Sequence, residues 1–410
     1  MRMIRLQIMK KFKHKVRHGE MSQLSRYLPP FSSDYSGVCS SLFDLDGMVV
    51  IHDAHCCSIN YIHMDEPRWY GNKRPIFSSG LREIDAIMGD DEKLIRKIIK
   101  AYEELHPEFI AILGSPVPTI VGADMEGIAQ ELENELDIPV FGFSSTGLRY
   151  YNRGISDTMI KLTKRYAREG QKVEKSVNVL GLNALDFSDN SNADDIKGFL
   201  KAGGLKLICS FMMGCSIPDI VSSPRAEVNV VVSQTGMDLA EYMERTWGIP
   251  YVAFTPIGTR ENKLIFDNIE EASREGASRV IQSADLYDGE ILIVGEQLIA
   301  NSIREVLTRR YGIKGVAVGC LFGKDQRLAT EFDIDFKSEI QIARKLKENK
   351  YAVVIGDPLL RALVDKSRAK LFTLPHVAVS SKLYWHQYPT FVGDEMENFI
   401  FEVSQTLKIN

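Results

Sequence analysis

The chain has 410 residues, 44 % hydrophobic and 26 % charged, with a formal net charge of −5 and a pI near 6.0. That length predicts roughly two to four packed units of ordinary globular composition. The acidic balance argues against a general nucleic-acid binder, no run of about 18 apolar residues offers a membrane span, and six scattered cysteines are not a disulfide framework, which points to a reducing, cytoplasmic setting.

Residues 1–20 hold Arg2, Arg5, Lys10, Lys11, Lys13, Lys15 and Arg17 against Glu20 alone and lack the apolar core of a signal peptide. They read as a basic, disordered extension, with Met21 as a second possible start. A Ser/Gly-rich loop then leads to Cys39. A short buried strand follows (Met48, Val49, Val50, Ile51), and a loop carries His52, Asp53 and His55 into adjacent Cys56 and Cys57. Thiolates gathered at strand ends suit iron–sulfur clusters and zinc. Zinc is the weaker alternative, because the spacing is not C-x₂-C…C-x₂-C and His52 and His55 lie too close in sequence to form a strong pair.

From about Glu83 strand-like and helix-like runs alternate. Glu92–Leu105 reads as a helix, Phe109–Leu113 as a strand, 122–136 as a helix with acids in its first turn, and Val140–Phe143 as a strand. The pattern restarts at 177–182, with a helix at 194–203 and strands at 206–210, 228–233 and 251–254 around the Met237–Trp247 helix. It restarts again at 291–294, with helices at 296–310 and 339–349 and strands at 315–318 and 352–355. The expected fold class is therefore α/β, with three Rossmann-like parallel-sheet units around a central cavity. The expected division is 21–175 (completed by 375–410), 176–287 and 288–374, with polar linkers near 169–176 and 282–290. Cys209, Cys215 and Cys320 sit in or beside apolar runs and read as buried small side chains.

In open parallel sheets the ligand end is the carboxyl end of the strands. The loops to watch follow Ile51, Leu113, Phe143, Ser210, Ser233, Phe254, Val294, Val318 and Ile355. None carries GxxxxGK[ST], and the glycine of LIVGEQ is not a dinucleotide fingerprint, so neither ATP nor NAD is expected here.

Four segments in order, GMVVIHDAHCC, SSGLREIDAIMGDDEKLIRKI, PTIVGADMEGIAQEL and PHVAVSSKLYWHQYPTFVGDEMENFIFEV, resemble the nitrogenase component 1 family over roughly Leu28 to the C-terminus. The resemblance implies that Cys39 is the first ligand of the family's relay cluster and Cys57 the second, with Cys56 as fallback and Asp53 as an oxygen ligand. A third cysteine is expected at Ser115-Pro116-Val117-Pro118, which has no thiol. The ligands of the large molybdenum-type cofactor fall near Ser233 and Ser380, so that cofactor and dinitrogen reduction are not expected. Two thiolates per chain imply one [4Fe–4S] cluster shared across a homodimer, or a heterodimer with a paralogous chain that supplies missing ligands. The implied function is an oxidoreductase. It would take electrons from a separate ATP-dependent iron–sulfur reductase and reduce a substrate such as a tetrapyrrole, held between the three units. The alternative is a non-catalytic scaffold for metallocofactor assembly, or a structural partner of a paralogous subunit; Cys209 and Cys215 keep the scaffold open.

Further candidates come from residue chemistry. His55 would donate to a cluster sulfur or a proton path, or simply fix its loop, and His52 and Asp53 share that ambiguity. His63, Arg68 and Trp69 line either a pocket or a subunit interface. Arg260 suits a substrate carboxylate, unless Thr259 merely caps a helix. His376 and His386 lie within reach of the central cavity.

Overall fold

A computed structural model of the chain describes residues 25–260, 262–283, 286–348 and 351–407; the basic stretch 1–20 and Met21 lie outside the described residues. Three all-parallel sheets form the framework. The first contains β1 (Gly47–Ile51), β2 (Ile76–Ser78), β3 (Phe109–Leu113) and β4 (Val140–Phe143) in the order β2-β1-β3-β4. The second contains β5 (Ser176–Leu180), β6 (Lys206–Ser210), β7 (Val228–Val231), β8 (Tyr251–Ala253) and β9 (Arg279–Val280) in the order β6-β5-β7-β8-β9. The third contains β10 (Ile291–Gly295), β11 (Val316–Cys320), β12 (Asp333–Asp335), β13 (Val353–Gly356) and β14 (Lys370–Thr373) in the order β12-β11-β10-β13-β14.

The central strands are apolar without alternation because helices cover both faces of each sheet; β1, β3, β5 and β11 are buried at every residue. Four of the six edge strands, β2, β9, β12 and β14, are two to four residues long and partly exposed. They carry no apolar run, so the sequence pattern does not reveal them. The helix read over 122–136 begins three residues later, at Met125, and a short unforeseen helix precedes it. Pro116–Val121 ends at Gly122, whose φ of 78° closes the turn, and Met125–Leu136 starts at Asp124, whose carboxylate accepts the Glu126 and Gly127 N–H groups.

Cys39 sits inside a helix, Asp34–Leu42, rather than in a loop. All nine residues of that helix are buried, so it shows no one-sided apolar period, and its serines find partners inside the protein: Ser41 Oγ donates to Gly37 O at 2.8 Å and Ser36 Oγ to Asp65 Oδ2 at 2.7 Å. It crosses the Tyr151–Tyr166 helix at two glycines. A Cβ on Gly37 would lie 2.1 Å from Tyr151 O, and one on Gly154 would lie 1.9 Å from Asp34 O. Only glycine permits that approach.

Each sheet reverses its strand order once, and a doubly wound sheet binds its ligand at that reversal. In the first sheet the reversal lies between β1 and β3, followed by the His52–Cys57 loop and Ser115. In the second it lies between β5 and β7, followed by Asn183, Asp186 and Ser233. In the third it lies between β10 and β13, followed by Glu296 and Asp357. The second and third reversals meet, with Gln234 N donating to Glu296 Oε1 at 2.7 Å.

The closing stretch divides its contacts. Ala378 O accepts Ser32 N at 2.9 Å and Ser381 Oγ donates to Asp65 Oδ1 at 3.2 Å, both against the first unit. The Asp394–Thr406 helix instead lies on the Gln297–Tyr311 helix, where Glu397 pairs with Arg310.

Candidate metal centre

The first-sheet reversal brings three candidate ligands together, one carboxylate and two thiols. Ligand atoms of Asp53, Cys56 and Cys57 all lie within 4.8 Å of one another, and the two Sγ atoms are 4.0 Å apart. The short helix Cys56–Asn60 places them: it starts at His55, a left-handed residue with φ of 72°, and turns Cys56 to solvent and Cys57 inward. Asp53 is fully buried and already engaged. Its Oδ2 accepts Ser58 N at 2.9 Å and its Oδ1 accepts the Ser78 hydroxyl, so it fixes the loop that presents the thiols.

Cys39 stands outside that tight group, buried in the crossing helix. Burial first, then the charges of Glu66, Asp53 and Cys57, pushes its thiol well above the ordinary range. Burial likewise pushes Cys57 up to about 12, with Cys56 adding to the effect and the Ser115 hydroxyl acting the other way. Ser115 thus occupies the third expected ligand position. It is buried, close enough to influence Cys57, and donates to His52 O at 2.8 Å. Buried Cys39 and Cys57 are therefore held protonated, and metal binding would have to displace their protons. Thiols beside a buried carboxylate are a donor chemistry that an iron–sulfur cluster can use.

This centre opens onto an unusual surface. Each of the four loops at the carboxyl end of the first sheet carries an exposed apolar side chain: Ile59 after β1, Ile84, Ile87 and Met88 after β2, Val117, Ile120 and Val121 after β3, and Leu148 after β4. Ile87 is 71 % exposed, and Ile120 and Leu148 are each 84 % exposed. The helices Glu83–Met88 and Pro116–Val121 pack against each other, so the exposed apolar side chains of these two helices are neighbours rather than isolated exposures.

The remaining candidates scatter. His55 and His63 are exposed, the latter 3.2 Å from Tyr70 OH, and His386 is exposed as well. Arg68 lines no pocket. It is buried under the Cys39 helix, bonded to Glu66, Asp44 and Ser40 O, and stacked 4.4 Å over Phe43, while half-buried Trp69 packs edge-on to the same ring. Arg260 is largely exposed and pairs with Glu397 at 3.2 Å; the Thr259 amide is also 3.2 Å from Glu397. His52 is buried with Nδ1 2.8 Å from Ser79 Oγ.

His376 alone reaches the junction of the units, where its Nε2 lies 3.1 Å from Asp186 Oδ1. Ser233 Oγ donates to Gly181 O at 2.7 Å and Ser380 Oγ to His376 O at 3.2 Å, both within the protein. Cys209, Cys215 and Cys320 are buried, and the first two lie 3.6 Å apart. The sequence reading did not single out Asp186, Glu296 or Asp357. Their position directly after central strands of the second and third sheets was the available signal.

The space beside His376 at this junction is small. The space lined by Glu296, Asp357, His376 and Phe391 measures about 20 Å³. Phe322 fills the neighbourhood, 4.9 Å from the Tyr151 ring and 5.1 Å from the His376 ring.

Comparison with known proteins agrees with this architecture. A family model described as nitrogenase component 1 type oxidoreductase matches residues 33–373. A light-independent protochlorophyllide reductase polypeptide of Leptolyngbya boryana is 23 % identical over 359 residues, covering 77 % of this chain and 70 % of the relative. The nitrogenase iron-molybdenum cofactor biosynthesis protein NifE of Clostridium pasteurianum is 26 % identical over 276 residues, covering 61 % and 59 %. A solved structure described as nitrogenase Cp1 at pH 6.5 superposes with a TM-score of 0.66 at 15 % identity, covering 95 % of this chain and 90 % of that one. With the family model spanning most of the chain and the three-sheet fold shared, the protein belongs to the nitrogenase component 1 type oxidoreductase family and lacks the ligands of the large cofactor.

Proposed function

We propose that this chain works as a nitrogenase-like reductase in which Cys39 and Cys57 from two chains hold one [4Fe–4S] cluster across a two-fold axis. The observation that carries this reading is the half-exposed thiol site on the same end of the first sheet as a series of exposed apolar side chains. Two thiolates per chain do not close a four-ligand site, and a second copy laid on this end would supply the other two while covering the apolar side chains. A paralogous chain would do the same with a different ligand set. When bound, such a cluster supplies one-electron transfer. The chain carries no phosphate-binding loop, so the electrons would come from a separate ATP-dependent iron–sulfur reductase.

The protein's own part is to seat and shield. The Asp53 carboxylate orders the thiol loop, the glycine crossing fixes Cys39, and Ser115 leaves a hydroxyl where a third thiol would stand. Ser233 and Ser380 make dinitrogen an unsuitable substrate. A conjugated ring such as a tetrapyrrole needs a pocket of roughly 300 Å³ or more. The space of about 20 Å³ beside His376 is too small for that, so this reading seats the substrate at the surface between two chains. A second reading, a scaffold for metallocofactor assembly, draws on the paired thiols of Cys209 and Cys215 and the similarity to NifE.

The test is the double variant Ile87→Glu, Ile120→Glu, examined anaerobically by sedimentation and iron analysis. The reading predicts that dimer and iron are lost together while the monomer stays folded. A variant that remains an iron-loaded dimer contradicts it.

A further inference from the structure

The junction of the second and third sheets assembles groups that the metal centre does not use. Asp186 is fully buried and fixed on every side: Tyr151 OH donates to Oδ1, Asn183 Nδ2 donates to Oδ2 at 2.6 Å, and Tyr388 OH donates to its backbone oxygen. The fourth contact is His376 Nε2 at 3.1 Å. The other ring nitrogen of His376, Nδ1, is buried and has no hydrogen-bond partner. A buried imidazole with one nitrogen held by a carboxylate and the other unmatched is the arrangement of a general acid–base, not of a packing histidine. His376 also lines the cavity of about 20 Å³, together with Glu296 and Asp357. About 10–15 Å³ suffices for one water, given two or more polar neighbours. Asp186, Glu296 and Asp357 all follow strands at the sheet reversals, which is where doubly wound sheets place ligands.

We propose that Asp186 and His376 form a proton-transfer dyad whose Nδ1 exchanges a proton with the Glu296 carboxyl through a single water held in this cavity. In one direction the Glu296 O–H bond breaks, the water passes the proton on and an N–H bond forms at Nδ1, leaving a carboxylate and an imidazolium that Asp186 stabilises. The reverse step restores both groups. The titratable neighbours are Tyr151, Tyr388 and Asp357, the last accepting His376 N at 3.0 Å. Burial first, then Asp186, pushes Glu296 up to about 8, which suits a group that holds a proton near neutrality. The dyad is a proton-exchange site of this chain itself and does not rest on the reductase reading.

The experiment uses the full chain without cluster or substrate, so that a failure of the reductase reading leaves it interpretable. Protein carrying nitrogen-15 histidine is examined by NMR, with the His376 signal assigned by its loss in His376→Gln. Saturation transfer from water to the ring at Nδ1 is expected in the wild type. It should be lost in Ala300→Val, which fills the cavity, and weakened in Glu296→Gln, while circular dichroism shows both variants folded. A wild-type Nδ1 that exchanges nothing with water overturns the proposal. So does exchange that survives in both variants.

Discussion

The carboxyl end of the first sheet and the carboxyl ends of the second and third sheets are built from the same topology and finished in opposite ways. The first is open, with thiols at its reversal point and apolar side chains in all four of its loops. The other two face each other across a closed contact, lined by carboxylates, hydroxyls and one imidazole that mostly satisfy one another. One topology therefore gives an unfinished site that needs a partner and a finished interior that does not. The residues set directly after the central strands decide which.

The largest effect should come from the crossing that joins the two regions. Gly154→Val drives a side chain into Asp34 O, and about 3 kcal/mol or more of stability should be lost in urea unfolding. Gly198 lies within the Asn190–Ala202 helix, where an added Cβ would meet nothing within 4 Å, so Gly198→Ala should instead stabilise by roughly 0.5–1 kcal/mol. Equal effects would mean that the crossing does not hold the regions together.

Removing the closed region's centre comes next. Asp186→Ala strands Tyr151, Asn183 and His376, and about 3–5 kcal/mol should be lost, whereas Cys56→Ala at the open region should leave unfolding unchanged within about 0.5 kcal/mol. Similar values for the two would erase the distinction between the regions.

A smaller effect is pH-dependent. Burial pushes Asp65 up from 3.8 to about 6 despite hydrogen bonds from Ser36 and others. Between those values the folded state binds the extra proton. Its contribution is therefore fully present below pH 3.8 and is lost as pH rises through about 6, roughly 3 kcal/mol in all. Asp65→Asn should flatten this part of the stability–pH curve measured by denaturant titration; an unchanged slope would place the titration elsewhere.

The smallest is chemical. In metal-free protein at neutral pH exposed Cys56 should alkylate first, and Cys57, with its thiol held protonated, should lag. Mass spectrometry after brief maleimide exposure distinguishes them, and equal labelling would mean that the loop opens.

Much of this was legible in the residues. The buried parallel strands announce themselves as unbroken apolar runs such as GMVVI and FIAIL, and Cys56 and Cys57 stand where the strand pattern stops. The Cys39 helix was hidden, because a helix buried on all sides has no polar face to give it a period. Arg68 reads in sequence as a pocket or subunit-interface residue, yet its partners Glu66 and Asp44 pull it beneath the Cys39 helix. The Asp186–His376 pair joins residues 190 positions apart, and no local pattern signals such a contact.

The most direct measurement is anaerobic iron and sulfide analysis with EPR on wild type, Cys39→Ala and Cys57→Ala. The shared-cluster reading predicts about four irons per dimer in the wild type and their loss in either variant. An iron-free dimer, or iron retained in both variants, would contradict it.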